Sequence, residues 1–307
     1  MRYTETQLTS EALDQPEFAG EPIKIFICST PRSGSYMLCR YMINAGIGVP
    51  HEYFNPNIMR VIAPRLGLAA DVAKLRWRHK SLRDRLPFPL PDRVAEMSFL
   101  DAYIERLVPR RCQGGVFAAK IHFDQYFTVL NNPVGHRLLD RGVFIHLYRE
   151  DLLRQAVSRN FSYLTGRWGE DDTVTTAPSN DPGLLEPKRV DRELETLAQE
   201  DSEWRLLLAR NGLSPLSISY EQLCRDPAGF VGVIARRIGL DPGALRQGYS
   251  EPIGPSQPDD PALPSKGEVT RRYLASHRIL HEAAATNPRP APSPEPMPLV
   301  SREVAGR

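Results

Sequence analysis

The chain has 307 residues, 41% of them hydrophobic and 25% charged, the proportions of a globular protein with a sizeable core. Its 39 Lys and Arg offset 37 Asp and Glu to leave +2, so no basic field marks it for nucleic acid or a membrane surface, and an anionic ligand must be held by a local cluster. No apolar run approaches the ~18–20 residues that span a bilayer, and the polar, acidic start lacks the pattern of a secretory signal. The four cysteines, at 28, 39, 112 and 224, have no CxxC spacing and are expected as buried reduced thiols in a cytoplasmic protein.

In chain order, residues 1–22 are expected as a loose leader. Lys24 to Thr30 is an apolar run stopped by Pro31, and Tyr36 to Ile43 is a helical run stopped by Gly46. Residues 55–93, rich in Arg and Pro, are expected as an inserted cap. Val94 to Val108 carries an apolar stripe at helical spacing. Val116 to Phe123, Val143 to Tyr148 and Leu216 to Tyr220 are short, near-continuous apolar runs, the pattern of strands covered on both faces. Helices are expected over Asp151 to Leu164, Val190 to Asn211 and Ala228 to Ile238. Residues 165–188 are expected as a loop, and residues 286–307, with proline at every second position from 288 to 298, as a disordered tail. Strands alternating with helices predict one doubly wound α/β domain over residues 23–285, with a parallel sheet of four or five strands.

Ser29-Thr30-Pro31-Arg32-Ser33-Gly34-Ser35-Tyr36 joins the first strand to the first helix. A helix N-terminus presents unpaired N–H groups, Gly34 permits close approach of the backbone, Ser33 and Ser35 add hydroxyls, and Arg32 adds a forked cation. The segment suits a phosphate cradle, or a Ser/Gly turn that only caps the helix. It lacks the GxxxxGK[ST] spacing of a Walker loop. Further on, Phe144-Ile145-His146-Leu147-Tyr148-Arg149 ends a strand in an arginine, and a helix bearing Ser158 follows. Arg149 either faces the ligand crevice at the strand's carboxyl end or pairs with Glu150 or Asp151. In Ala118-Ala119-Lys120-Ile121-His122, residues 120 and 122 project to one face of a strand.

TPRSGSYML resembles the 5′-phosphosulfate loop of sulfotransferases that use 3′-phosphoadenosine 5′-phosphosulfate (PAPS), in the Arg-Ser-Gly-Ser form of the bacterial group that includes trehalose, Nod-factor and glycolipid sulfotransferases. Arg149 with Gln155-Ala156-Val157-Ser158 is similar to that group's 3′-phosphate motif. Pro50-His51-Glu52-Tyr53-Phe54 resembles its Pro-x-Glu-[FY]-Phe motif, which makes Glu52 the expected general base, with a pKa raised by burial. Lys120-Ile121-His122 is similar to the Lys-Thr-His of cytosolic sulfotransferases, which makes Lys120 the expected stabiliser of the sulfuryl group and His122 the second base candidate. Ser265-Lys266-Gly267 is similar to a segment that closes over the 3′-phosphate in those enzymes, with Ser265 where they carry Arg.

The resemblance implies a cytoplasmic enzyme that moves a sulfuryl group from PAPS to a hydroxyl of a sugar, glycolipid or other secondary metabolite, without a metal and with a homodimer as its expected assembly. Pro31, Arg32, Ser33, Gly34, Ser35 and Tyr36 are the expected 5′-side residues; Arg149, Ser158, Lys266 and Gly267 are the expected 3′-side ones. Val49 and His51 depart from the trehalose-type pattern, which leaves the acceptor open. Trp77, Arg78, His79 and Trp168 are candidates to line its pocket. The alternatives are a P-loop-type small-molecule kinase, for which neither the P-loop lysine nor a Mg²⁺-binding Asp motif is evident, and an inactive binding protein on the same scaffold.

Overall fold

Ile23–Ser29 (β1) sits between two parallel neighbours, and its residues from Ile25 onward are buried. The computed structural model describes residues 8–69, 92–168, 179, 181–246 and 263–276. Val116–His122 (β3) pairs with β1 on one side, running from Ile23↔Val116 to Ser29↔His122. Val143–Tyr148 (β4) pairs with it on the other, ending at Ser29↔Leu147. Leu216–Ser219 (β5) extends the sheet beyond β4. The sheet therefore has five strands in the order β2-β3-β1-β4-β5, four of them parallel. The fifth, Cys112–Gln113 (β2), is a two-residue antiparallel edge strand, too short to carry a periodic signal.

Both faces are covered, which is why the strands read as continuous apolar runs. One face packs Phe26, Phe117, Ala119 and Ile121 against Pro56–Ile62 (α2), Asp92–Arg110 (α3), the turn at 123–130, Pro133–Leu139 (α4) and Trp204. The other packs Ile25, Ile27, Ala118 and Ile145 against Ser35–Ala45 (α1) and, beyond the short helix Tyr220–Arg225 (α7), Pro227–Arg237 (α8). Leu152–Thr165 (α5), Pro187–Arg210 (α6) and Lys266–Ser276 (α9) share a third cluster built on Val157, Leu197 and Tyr273. Helix α1 stops at Gly46, whose left-handed φ of 84° lets the Ile47 N–H return to the Met42 carbonyl at 2.9 Å.

Three expectations need correction. Residues 8–14 are docked, not loose: Leu8 is fully buried, and Arg111 donates to the carbonyls of Leu8 (2.9 Å), Thr9 (3.3 Å) and Ser10 (3.0 Å). Residues 55–69 are no separate cap, because Met59, Ile62, Ala63, Leu66 and Leu68 belong to the main core. Cys224 is exposed, whereas Cys28, Cys39 and Cys112 are buried. The tail at 286–307 lies outside the described residues, as do Trp77, Arg78 and His79.

Candidate active site

The chain passes from β1 to β3 on one side, then crosses to β4 on the other. A parallel sheet opens a crevice at its carboxyl edge where such a reversal occurs. The register brings Ser29, His122 and Leu147 to that edge together, so the loop after β1, the end of β3 and Arg149 after β4 converge there.

Two residues of the loop are left-handed, Arg32 (φ 67°) and Gly34 (φ 82°). Such a turn before a helix points successive N–H groups into one concavity, an anion-binding nest. A Cβ on Gly34 would lie 2.3 Å from Tyr220 Cδ2, so only glycine fits. Arg32 adopts a conformation costly for an L-residue, and neighbours hold it there. Gln155 Nε2 donates to Thr30 Oγ1 and to the Pro31 carbonyl, both at 2.7 Å, and Arg149 Nη1 donates to the Arg32 carbonyl at 3.4 Å. Arg32 Nε donates to Ser158 Oγ at 3.1 Å, and its Nη1 to the Trp168 carbonyl. The two sequence motifs therefore touch. Ser35 begins α1 and is buried. Among the described residues the buried hydroxyls of Ser29 and Ser33 have no hydrogen-bond partner. A buried unpaired hydroxyl is costly, and an anion seated in the loop would satisfy it.

Arg149 does not pair with Glu150 or Asp151. Its Nε faces Glu221 Oε1 at 3.7 Å, and its guanidinium lies 4.6 Å from the Tyr220 ring centroid. Glu221 instead accepts from the Glu150 and Asp151 N–H groups, which places a carboxylate behind the arginine. Lys266 opens α9 with its Nζ 5.8 Å from the ring centroid of Phe161 on α5, and Ser265 caps α9 by accepting from the Glu268 N–H at 3.1 Å. Gly267 follows in the first turn of that helix.

Segment 50–54 runs beside β3, tied to it by the Lys120 N–H donating to the His51 carbonyl at 3.0 Å. This places Glu52 over the face of β3 that presents residues 120 and 122. Glu52 Oε1 pairs with Lys120 Nζ and lies 3.9 Å from His122 Nε2. Its Oε2 accepts from Gln125 Nε2 at 2.7 Å and from Asn55 Nδ2 at 2.9 Å. Tyr36 covers the pair, with Lys120 Nζ 3.4 Å from its ring centroid.

The charge state of this cluster differs from the expectation of a raised Glu52. Burial pushes the Glu52 carboxyl up, but the Lys120 ammonium, His122 and the hydrogen bonds outweigh it and hold it well below the carboxylate range. Burial also pushes His122 down to about 4, against the pull of Glu52, so its ring is neutral near pH 7. His122 Nε2 makes no hydrogen bond among the described residues. His51, flanked by Tyr36 and Tyr53, is pushed down to about 3 by burial. The edge thus joins an anion cradle to a charged carboxylate, a buried cation and a neutral imidazole, a set able to accept a proton and to neutralise developing negative charge.

Sequence reasoning missed Asn55, Gln125, Gln155 and Tyr220. Gln155 lies in the same Gln-Ala-Val-Ser stretch as Ser158, and that proximity was its signal. Gln125 stands three residues after a strand-ending His122, the spacing of a capping box, and this was its available signal. Asn55 stands three residues after Glu52 and directly before Pro56, as the cap of α2, and this was its available signal; Tyr220 meets Arg149 through tertiary packing and had none.

An α/β sheet with an anion loop at its switch point defines a phosphate-loop-like protein. The family model described as Stf0 sulphotransferase matches residues 24–253, and the chain belongs to that family. It is 26% identical over 243 residues to a trehalose 2-sulfotransferase of Mycolicibacterium smegmatis, covering 72% of this chain and 86% of that one. It is 26% identical over 239 residues to a trehalose 2-sulfotransferase of Mycobacterium tuberculosis, covering 70% and 84%. Among solved structures, the sulfotransferase domain from the Synechococcus PCC 7002 olefin synthase aligns over 90% of this chain and 98% of its own, with a TM-score of 0.36 and 15% identity. The protein is thus a sulfotransferase, an enzyme that transfers sulfate from a donor to an acceptor. Among the described residues no helix is long and apolar enough to cross a membrane.

Proposed function

We propose that the donor is PAPS and that the acceptor is a hydroxyl of a sugar. The observation that carries this is the convergence, at one sheet edge, of a loop with an orphaned buried Ser33 hydroxyl and a cluster of charged Glu52 and Lys120 with the neutral imidazole of His122. The names of the two trehalose-acting relatives support the sugar.

The residues fit the donor. Residues 31–36 would hold its 5′-phosphosulfate, through loop N–H groups and the free hydroxyl of Ser33. Arg149, with Ser158 linked through Arg32, would hold the 3′-phosphate. When bound, the donor supplies the sulfuryl group and a phosphate leaving group. Glu52 Oε1 takes the proton of the acceptor hydroxyl, and Lys120 neutralises charge on the transferring oxygens. The two roles are coupled. While paired with Lys120, Glu52 is a weak base. As Lys120 turns towards the transferring group, burial is left uncompensated and the carboxylate's proton affinity rises. The base therefore strengthens as the electrophile engages. On this reading the catalytic domain is residues 23–285.

The test is release of 3′-phosphoadenosine 5′-phosphate from PAPS in the presence of a panel of sugars, with wild type and Glu52→Gln. Wild type is expected to turn over and Glu52→Gln to lose turnover by at least about a hundredfold while still binding the bisphosphate. Near-normal turnover in Glu52→Gln would transfer the base role to His122. A preference for ATP–Mg²⁺ over PAPS would restore the kinase alternative, and bisphosphate binding without turnover on any acceptor would favour an inactive scaffold.

A further inference from the structure

We infer that Gln125 is a positioning residue for Glu52, acting with Asn55 to dedicate one carboxylate oxygen to proton transfer. The inference rests on Glu52 being the base. Gln125 is buried and bridges two elements: its Oε1 accepts from the His122 N–H at 3.2 Å, and its Nε2 donates to Glu52 Oε2 at 2.7 Å. The first bond caps the turn after β3. The second has no role in that turn, since it reaches across to the segment after Pro50. Asn55 donates to the same oxygen at 2.9 Å while its own Oδ1 caps α2 through the Asn57 N–H.

Two neutral donors thus converge on Oε2, while the cation and the imidazole face Oε1. A carboxylate turning about its own axis would exchange its oxygens, and the two amides oppose that exchange. When Lys120 leaves Oε1, the carboxylate keeps its place because its other oxygen is still held. A positioned base in a dry site needs no reorganisation at the moment of reaction. The hydrogen bonds also favour the ionised form, so their loss raises the carboxyl's proton affinity.

Gln125→Glu separates the two functions of the side chain. It keeps an oxygen to accept from the His122 N–H, but replaces the donor to Glu52 with a second carboxyl. A residue that only caps the turn tolerates this change. A positioning residue does not: kcat is expected to fall by about tenfold or more, and the acid limb of the kcat–pH profile to move up by about one pH unit. The dissociation constant for 3′-phosphoadenosine 5′-phosphate is expected to stay within about twofold, because the hydrogen bonds of Gln125 go to His122 and Glu52 rather than to the loop. Asn55→Ser, which keeps the α2 cap and shortens away the donor, is expected to move the same limb in the same direction by less. If Gln125→Glu does not fold, Gln125→Met and Asn55→Ser carry the test. An unmoved acid limb in the folded variants overturns the inference, even where kcat has fallen with the folded fraction. Glu52→Gln is the control. If it retains turnover, the base assignment has failed; if it is inactive while the Gln125 variants behave as wild type, only the positioning role has failed.

Discussion

Replacing Lys120 with methionine tests the electrostatics of the site without any substrate. Methionine keeps an unbranched apolar stem in a strand whose every residue is buried, so packing changes little. What changes is Glu52, 6% exposed, which loses the cation on its Oε1. Removing one partner of a buried ion pair costs about 3–5 kcal/mol, because the other charge remains in a poor solvent. Loss of the ammonium over Tyr36 adds about 0.5–2 kcal/mol. The total corresponds to a fall in Tm on the order of 10 °C at pH 8. The sign of its pH dependence is distinctive. In the wild type the Glu52 pKa is depressed, so its contribution is present above the unfolded-state value of about 4.3 and is lost as pH falls through the folded-state value. Without Lys120, burial raises the folded-state pKa above about 4.3, so stability is present below that pH and is lost as pH rises through the raised value. The deficit relative to wild type should therefore be large at pH 8 and shrink towards pH 5. Adding Glu52→Gln should recover most of the loss at pH 8, a coupling that a double-mutant cycle measures. Thermal unfolding of the four proteins at both pH values is the assay. An equal deficit at pH 5 and pH 8, or no recovery in the double variant, would refute the buried ion pair as the source of the effect.

The nucleotide loop gives two further predictions. Arg149→Ala should weaken 3′-phosphoadenosine 5′-phosphate by about 1.5–3 kcal/mol, a ten- to 150-fold rise in Kd, and leave AMP unchanged; equal losses for both ligands in a titration would place Arg149 in loop support alone. Gly34→Ala should abolish the thermal shift produced by the bisphosphate, since it combines a φ of 82° with a Cβ 2.3 Å from Tyr220 Cδ2. Binding retained in Gly34→Ala would show that the loop does not need the conformation seen here.

The parallel sheet was legible in the sequence because burial on both faces writes itself as continuous apolar runs. β1, β3, β4 and β5 all begin and end close to the predicted limits. β2 was not, since two residues hold no period. The docked residues 8–14 escaped notice because their anchor, Arg111, is remote in sequence and works through backbone carbonyls, which carry no residue signature. Lys120 was conspicuous as one of few lysines, set in an apolar strand. Its ionic partner was not, and this is why the Glu52 pKa was expected to move up when it moves down. Burial of the 50–54 segment was readable from its flanking aromatics. The direction of a pKa depends on which opposing effect is larger, and the decisive one here comes from another element.

The same opposition explains why this site can be both stable and reactive. A buried glutamate alone would sit protonated and would be no base at neutral pH. A glutamate permanently neutralised by a buried lysine would be ionised and inert. In the proposed mechanism Lys120 pairs with Oε1 at rest and leaves it during transfer, while Gln125 and Asn55 hold Oε2, and this resolves the conflict. The carboxylate is charged at rest because the lysine is near, and on the proposed mechanism it becomes more basic once the lysine turns away. The second destination we propose is the loop after β1, since β1 lies between the strand that carries Lys120 and the strand that ends just before Arg149.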